Sequence, residues 1–197
     1  PGVVVCDSDT SGTNTITGLQ TANMDSASLV VFVCHFTEDK NLTNIFEHID
    51  HVGISRSCTK HNFLVKEISE LSKTIREALH LSVTGRPVTV LVDISKEVLD
   101  ANHKFEFLPV DKVSGYKVPI FATKREIKKA ANLIMKSKRP IVFGGGGIVI
   151  SEATKTLQKF ANRLKIPVTL TLMGLGAVSY THTTLPKTTP VEAYDGA

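Results

Sequence analysis

Five short runs of consecutive apolar, mostly β-branched residues punctuate the chain: Gly2–Cys6, Leu29–Cys34, 88–93, 139–143 and 168–172. Runs of this length without polar alternation suit strands buried on both faces of a parallel sheet. Between them the apolar spacing becomes helical. Ile68, Leu71, Ile75 and Leu79 form one such stripe, and Ala153, Leu157, Phe160, Ala161 and Leu164 form another. Thr123-Lys124-Arg125-Glu126 has the form of a capping box and predicts a further helix start. Alternation of strand and helix implies right-handed crossovers and a doubly wound α/β fold. Periodicity disappears between residues 98 and 121, where Pro109, Gly115 and Pro119 interrupt the chain. The pattern therefore predicts two partial doubly wound parallel-sheet domains, 1–97 and 122–178, joined by a linker over 98–121. The Thr- and Pro-rich stretch 179–197 has no period and is expected to be an unassigned tail, disordered or extended.

The fourth apolar run ends in Gly144-Gly145-Gly146-Gly147, and the fifth in Thr171-Leu172-Met173-Gly174. Open α/β sheets bind ligands at the carboxyl ends of their strands, and glycines there let a ligand approach the backbone. The spacing does not follow G-x-G-x-x-G, because Val149 stands where the last glycine or alanine belongs. The competing explanation is a tight turn that needs glycine for positive φ and binds nothing.

Composition fits an ordinary α/β chain of 197 residues, 42% of them hydrophobic. Cys6, Cys34 and Cys58 are odd in number, widely spaced and beside apolar runs, so reduced thiols are expected. No run approaches membrane-spanning length, and no signal peptide opens the chain. The expected setting is cytoplasmic, or organellar in a eukaryote. The net charge of +4 comes largely from Lys124, Arg125, Lys128, Lys129, Lys136, Lys138 and Arg139. Most of these fall opposite Ile127, Ala131 and Ile134 on one helix, with no aromatic residues between them. A solvated face explains them better than a nucleic-acid surface. The start at Pro1, without Met, suggests a fragment.

Three acidic or imidazole constellations invite other chemistry. Asp7-Ser8-Asp9-Thr10-Ser11-Gly12 opens like a calcium loop, but Gly18 occupies the position of the bidentate glutamate. The same residues resemble the nucleophile loop of haloacid-dehalogenase-type phosphotransferases, with Asp7 as nucleophile and Asp9 as general acid. No convincing carboxylate pair for Mg²⁺ accompanies them. His48 and His51 could share a metal on one helix face, yet no third ligand is evident, and a polar surface turn is the simpler reading. His61, in Thr59-Lys60-His61-Asn62, is expected to anchor a loop by hydrogen bonds.

RPIVFGGGGIVI and IPVTLTLMGLGA resemble the central domain of the acetolactate synthase catalytic large subunits, thiamine-diphosphate-dependent enzymes. TNTITGLQTANMDS, DHVGISRSCTKHNFLVKEI and GRPVTVLVDISKEV resemble the same family in the same order. The resemblance implies that 1–97 is the latter part of a pyrimidine-binding domain and 122–178 the first part of an FAD-binding-like central domain. It implies a carboligase of branched-chain amino-acid biosynthesis that decarboxylates pyruvate and joins it to a second 2-ketoacid. Thiamine diphosphate and Mg²⁺ would be bound mainly by residues outside this stretch, and FAD would take no part in net redox chemistry. A homodimer or homotetramer, and a regulatory subunit, are the implied partners. Asn14 and Glu47 would lie at the thiamine diphosphate edge. Arg86, Gly145, Gly146, Gly147, Thr171, Leu172 and Met173 would contact FAD, and no catalytic residue falls within the chain.

The chain also departs from the family's pattern. Its Ser-Gly-Pro-Gly-Ala-Thr-Asn loop reads Ser8-Asp9-Thr10-Ser11-Gly12-Thr13-Asn14, its Gly-Gln-Val-Pro reads Cys34-His35-Phe36-Thr37, and its Phe-Gln-Glu reads Phe46-Glu47-His48. These departures imply weakened thiamine diphosphate binding, or a catalytically degenerate homologue that retains a nucleotide-binding module.

Overall fold

The computed structural model describes residues 1–7, 9–34, 49–105, 113–119 and 121–178. The chain divides into two compact units, Pro1–Ile120 and Phe121–Ala197. In the first, strands β1 (Gly2–Cys6), β2 (Leu29–Cys34), β3 (His61–Val65) and β4 (Thr89–Ile94) form one sheet in the order β1-β2-β4-β3. Every pairing in it is parallel. The second unit carries a separate parallel pair, β5 (Val142–Gly144) with β6 (Val168–Leu170). The expected α/β class and the five expected strand positions are therefore present. The last strand is shorter than expected, because Leu172–Gly174 turns into a 3-10 segment.

β4 lies between β2 and β3, and all six of its residues are buried. Its two faces support different cores. On one, Val90, Val92 and Ile94 pack with Val30, Val65, Ala78 and Leu81, the last two from helix α4 (Ile68–Val83). On the other, Leu91 packs with Cys6, Val31, Val33, Cys58 and Leu19. Leu19 belongs to α2 (Ile16–Asp25), which follows the short α1 (Asp9–Asn14). This two-sided burial is why β2 and β4 read as unbroken apolar runs. The expectation of burial on both faces fails for β1, at one sheet edge, and for β5: Val3, Val5 and Phe143 are 56%, 69% and 70% exposed.

β3 was not among the expected strands. Its sequence mixes polar and apolar residues, and only Val65 is buried, because β3 is an edge strand. His61 is consequently not the loop anchor expected. It is exposed on β3, with its ring edge-on to Phe63 at 4.5 Å. Its neighbours make the anchoring bonds instead: Asn62 Nδ2 donates to Val52 O (2.8 Å) and Ser55 Oγ (2.9 Å), tying β3 to α3 (His51–Ser55).

His51 also differs from the surface turn expected of it: it is fully buried. Asp50 caps α3 by accepting from Gly53 N at 2.7 Å. The imidazole packs where a side chain on Gly12 would otherwise go. A Cβ at Gly12 would lie 2.6 Å from His51 Nε2 and 2.9 Å from Val33 Cγ1. Gly12 is thus the size complement of the buried ring.

The stretch expected to be a linker begins with α5 (Lys96–Asp100), and part of it packs onto the first unit: Val113 and Tyr116 rest on the α4-side core. In the second unit, α8 (Thr154–Leu164) covers β5 and β6 through Leu157 and Ala161. Helix α6 (Lys124–Lys136) opens with the expected capping box, Thr123 Oγ1 accepting from Glu126 N and Glu126 Oε2 from Thr123 N. Of its expected apolar face, Ile127 is 58% exposed, Ala131 is exposed and Ile134 is half-buried, and none is fully buried. Its local stability therefore rests on the cap and on helix-forming residues rather than on packing.

Two outcomes follow. Gly12→Ala should destabilise the first unit by about 1–3 kcal/mol in urea unfolding. The loss should shrink when His51→Ala is made in the same chain, whereas additive losses would show that the two residues do not share that space. Hydrogen bonds from the Thr123 backbone and hydroxyl hold the Glu126 carboxyl below its usual 4.5. A depressed value in the helix means that the stabilisation is complete above 4.5 and is lost as pH falls through the lowered value. A blocked peptide of residues 121–137, with Glu126 as its sole acid, should lose helical circular dichroism on acidification. Glu126→Gln should remove that dependence.

Candidate functional site

The carboxyl ends of β5 and β6 bring two glycine-bearing loops together. Thr171 N donates to Gly144 O at 2.9 Å, continuing the sheet pairing by one bond. Beyond it the loops approach so closely that a Cβ on Gly174 would lie 2.6 Å from Gly144 O. A Cβ on Gly146 would lie 2.9 Å from Met173 Cβ and 3.1 Å from Met173 O. Gly144 is closed off as well, by Ile148 and Leu170 at 2.8 and 2.9 Å. The positive-φ explanation of the glycine run does not hold. Among the described residues the positive-φ glycines are Gly85, Gly115 and Gly176, and none lies in the run. The run is needed for close backbone approach.

The four glycines divide by their surroundings. Gly144 and Gly146 are committed to internal packing. A Cβ on Gly145 would meet only Thr171 Oγ1, at 3.7 Å, and one on Gly147 would meet nothing within 4 Å. Gly147 is exposed and begins the short α7 (Gly147–Ile150). Beside this bare backbone Leu172 is 81% exposed and Met173 is 52% exposed. The structure thus gathers Gly145, Gly146, Gly147, Thr171, Leu172 and Met173 around one patch, where open backbone meets two uncovered apolar side chains. A flat ligand with polar edges suits that surface.

Arg86 belongs to the first unit, in the turn between α4 and β4. Its Nε donates to Ser26 Oγ (2.8 Å), and its Nη2 donates to Asn23 O (2.6 Å) and Met24 O (3.1 Å). The guanidinium therefore caps the end of α2, whose last carbonyls lack partners within the helix. Nη1 takes no part in these bonds, and the side chain is exposed. Asn14 is the exposed last residue of α1. Glu47 lies outside the described residues, as do His35, Phe36, Thr37 and His48.

Near the carboxyl end of β1, Ser11 Oγ donates to Asp7 Oδ1 at 3.1 Å. All three cysteines are free and buried. Burial, reinforced by Asp7 beside Cys6 and by Cys6, Asp93 and Asp7 beside Cys34, pushes their thiols up, which favours the protonated, unreactive form. No group of three His, Cys, Asp or Glu suited to a metal occurs among the described residues, and no described helix is long and apolar enough to cross a membrane.

Residues 127–189 match the central domain of thiamine pyrophosphate enzymes. The acetolactate synthase large subunit of Buchnera aphidicola from Schizaphis graminum is 37% identical over 183 residues, 92% of this chain and 32% of that protein. That of Haemophilus influenzae is 37% identical over 178 residues, 89% of this chain and 31% of its own length. A probable acetolactate synthase large subunit of Methanocaldococcus jannaschii is 37% identical over 184 residues, 92% of this chain and 31% of its length. The chain belongs to the acetolactate synthase family of thiamine pyrophosphate enzymes. It spans about a third of the length of the curated relatives it matches.

For an acetolactate synthase relative, sequence reasoning missed one cluster. Lys60 Nζ donates to Leu81 O (2.9 Å), Thr84 O (2.7 Å) and Arg86 O (3.2 Å), and lies 4.9 Å above the Tyr116 ring. Partial burial of Tyr116 opposes its ionisation, but bonds with Lys60 and Thr84 and the ammonium charge outweigh it, so its phenol lies below the usual 10.0. The sequence marks this cluster only by Thr59-Lys60-His61-Asn62.

The division among the glycines is directly testable. Gly146→Ala should cost about 1–3 kcal/mol in unfolding measurements, since its Cβ meets backbone as well as side chain. Gly147→Ala should be neutral or slightly stabilising, because an open alanine restricts the unfolded chain more than glycine does. Equal losses at both positions would contradict the open patch.

Proposed function

We propose that this chain is part of an acetolactate synthase-type carboligase, in which the Gly145–Gly147 and Thr171–Met173 patch binds FAD. The open backbone at Gly145 and Gly147, beside exposed Leu172 and Met173, carries the reading. Bare glycine lets the nucleotide lie against the chain, and the two apolar side chains offer a surface to its rings. Arg86, which the family resemblance also assigns to FAD, belongs to the first unit, where its Nη1 stays outside the bonds that cap α2. The residues present fit the flavin in this respect: Gly144 and Gly146 are filled from within, while Gly145 and Gly147 are left open.

The reaction proposed for the whole protein is decarboxylation of pyruvate and its union with a second 2-ketoacid, in the synthesis of branched-chain amino acids. Thiamine diphosphate, held with Mg²⁺ mainly by residues outside this stretch, supplies the electron sink when bound. Asn14 stands at the thiamine edge of the first unit, and Glu47 is assigned to the same edge. The partners proposed are identical subunits, forming a dimer or tetramer, and a regulatory subunit. The departures at Asp9, Thr10 and Glu47 support a second reading, a homologue that keeps the nucleotide module without catalysis.

Gly147→Val in the complete subunit should raise the dissociation constant for FAD about tenfold or more, roughly 1.4 kcal/mol, with an unchanged melting temperature of the flavin-free protein. Flavin fluorescence titration provides the check, and unchanged FAD affinity would end the flavin assignment. Assaying acetolactate from pyruvate in the same preparations separates the two readings. Product formed only with thiamine diphosphate supports the enzyme. FAD binding without product supports the degenerate homologue.

A further inference from the structure

The sulfur atoms of the chain belong to three cysteines and three methionines. The thiols are buried, and burial pushes them up toward the protonated form, which reacts slowly with peroxides. The methionines are open to solvent: Met24, Met135 and Met173 are 66%, 76% and 52% exposed. A thioether needs no ionisation to be oxidised, so these are the sulfur atoms that an oxidant meets. Met24 lies on α2 and Met135 on α6, where oxidation adds a polar group to a side chain already in water.

Met173 is placed differently. It is the middle residue of the 3-10 segment Leu172–Gly174, which Gly174 N closes by donating to Thr171 O (2.9 Å) and Leu175 N by donating to Leu172 O (3.3 Å). Its Cβ and carbonyl oxygen face Gly146, at 2.9 and 3.1 Å from where a Cβ on that glycine would lie. The backbone of Met173 is therefore fixed against the glycine loop, while half of the residue stays open to solvent. It adjoins exposed Leu172 and the open backbone of Gly145 and Gly147.

We propose that Met173 is an oxidation site that controls flavin binding. Hydrogen peroxide transfers one oxygen to the thioether: the O–O bond breaks, an S–O bond forms and the sulfur loses two electrons. The proton on the transferred oxygen passes to the departing hydroxide, which leaves as water. The sulfoxide is polar, and it stands on the apolar surface that the flavin rings would cover. Covering it strips water from a strong acceptor, which weakens binding. Thiol-dependent reduction restores the thioether, so the change is reversible. Bound flavin covers Met173 in turn, which makes the flavin-free protein the sensitive form. This rests on the reading of the Gly145–Gly147 and Thr171–Met173 patch, wholly within the second unit, as the flavin site.

The test treats the complete subunit with hydrogen peroxide in the presence and absence of FAD. Peptide mass spectrometry follows sulfoxide at each methionine, and FAD affinity and the melting temperature of the flavin-free protein are measured before and after. FAD should slow oxidation of Met173 and leave that of Met135 unchanged. Oxidation of the flavin-free protein should weaken FAD about fivefold or more with an unchanged melting temperature, and methionine sulfoxide reductase with dithiothreitol should reverse the loss. Each variant is compared with its own untreated preparation. Peroxide should no longer change the FAD affinity of Met173→Leu, whereas Met135→Leu should respond as the parent does. Met173→Gln, with a permanent polar group, should bind FAD more weakly than Met173→Leu. Shielding of Met173 by FAD, with affinity unchanged after its oxidation, would overturn the control by Met173 and leave the flavin reading intact. An undiminished peroxide response in Met173→Leu, or a matching fall in melting temperature, would do the same. Oxidation of Met173 at one rate with and without saturating FAD would overturn the flavin reading of the patch itself. If Met173→Leu does not fold, the parent carries the test, and a loss of affinity that tracks sulfoxide at Met135 instead of Met173 overturns the proposal.

Discussion

Burial of β4 on both faces is the constraint on which the first unit depends. Its side chains divide between two cores, Val90, Val92 and Ile94 on one side and Leu91 on the other. A polar or bulky replacement in this strand therefore disturbs whichever core its side chain faces, and the strand has no face that tolerates one. The same strand sets the positions of the functional candidates. Arg86 lies in the turn that leads into it, and the Lys60 backbone is tied to its first residue. In the second unit, β5 and β6 are held by parallel pairing that runs on into the Thr171-to-Gly144 bond, and the glycines permit that continuation.

β2 and β4, buried on both faces, were legible in the sequence because such strands are filled mainly by apolar, β-branched residues. β3 was not legible. At a sheet edge it needs only Val65 inside, so its polar residues resemble a loop. The α6 stripe was read correctly as helical, and amphipathic spacing records a helix while leaving open what covers its apolar side. The glycine run was recognised, yet its reason was visible only in three dimensions. Spacing along the chain cannot distinguish a glycine that avoids a neighbouring backbone, as Gly146 does, from one facing open space, as Gly147 does.

Buried polar contacts were the least legible of all. His51 looked like a surface residue because its neighbours in sequence are polar, and the space it fills is made by Gly12, far away along the chain. Lys60 gives no local signal, because its partners lie more than twenty residues away, at the end of α4. Both cases are long-range matches of size or of donor with acceptor, which a one-dimensional pattern does not encode. The family resemblance, by contrast, was carried by short local blocks that remain intact in this chain.

Hydrogen–deuterium exchange of the complete subunit with and without FAD most directly tests the flavin patch. Bound flavin should slow exchange of the backbone amides from Gly145 to Ile148 and from Thr171 to Met173, where bare backbone and apolar side chains meet. Exchange within β4 should be slow in both states. FAD binding that leaves those two loops exchanging at their flavin-free rates would contradict the assignment and place the nucleotide elsewhere.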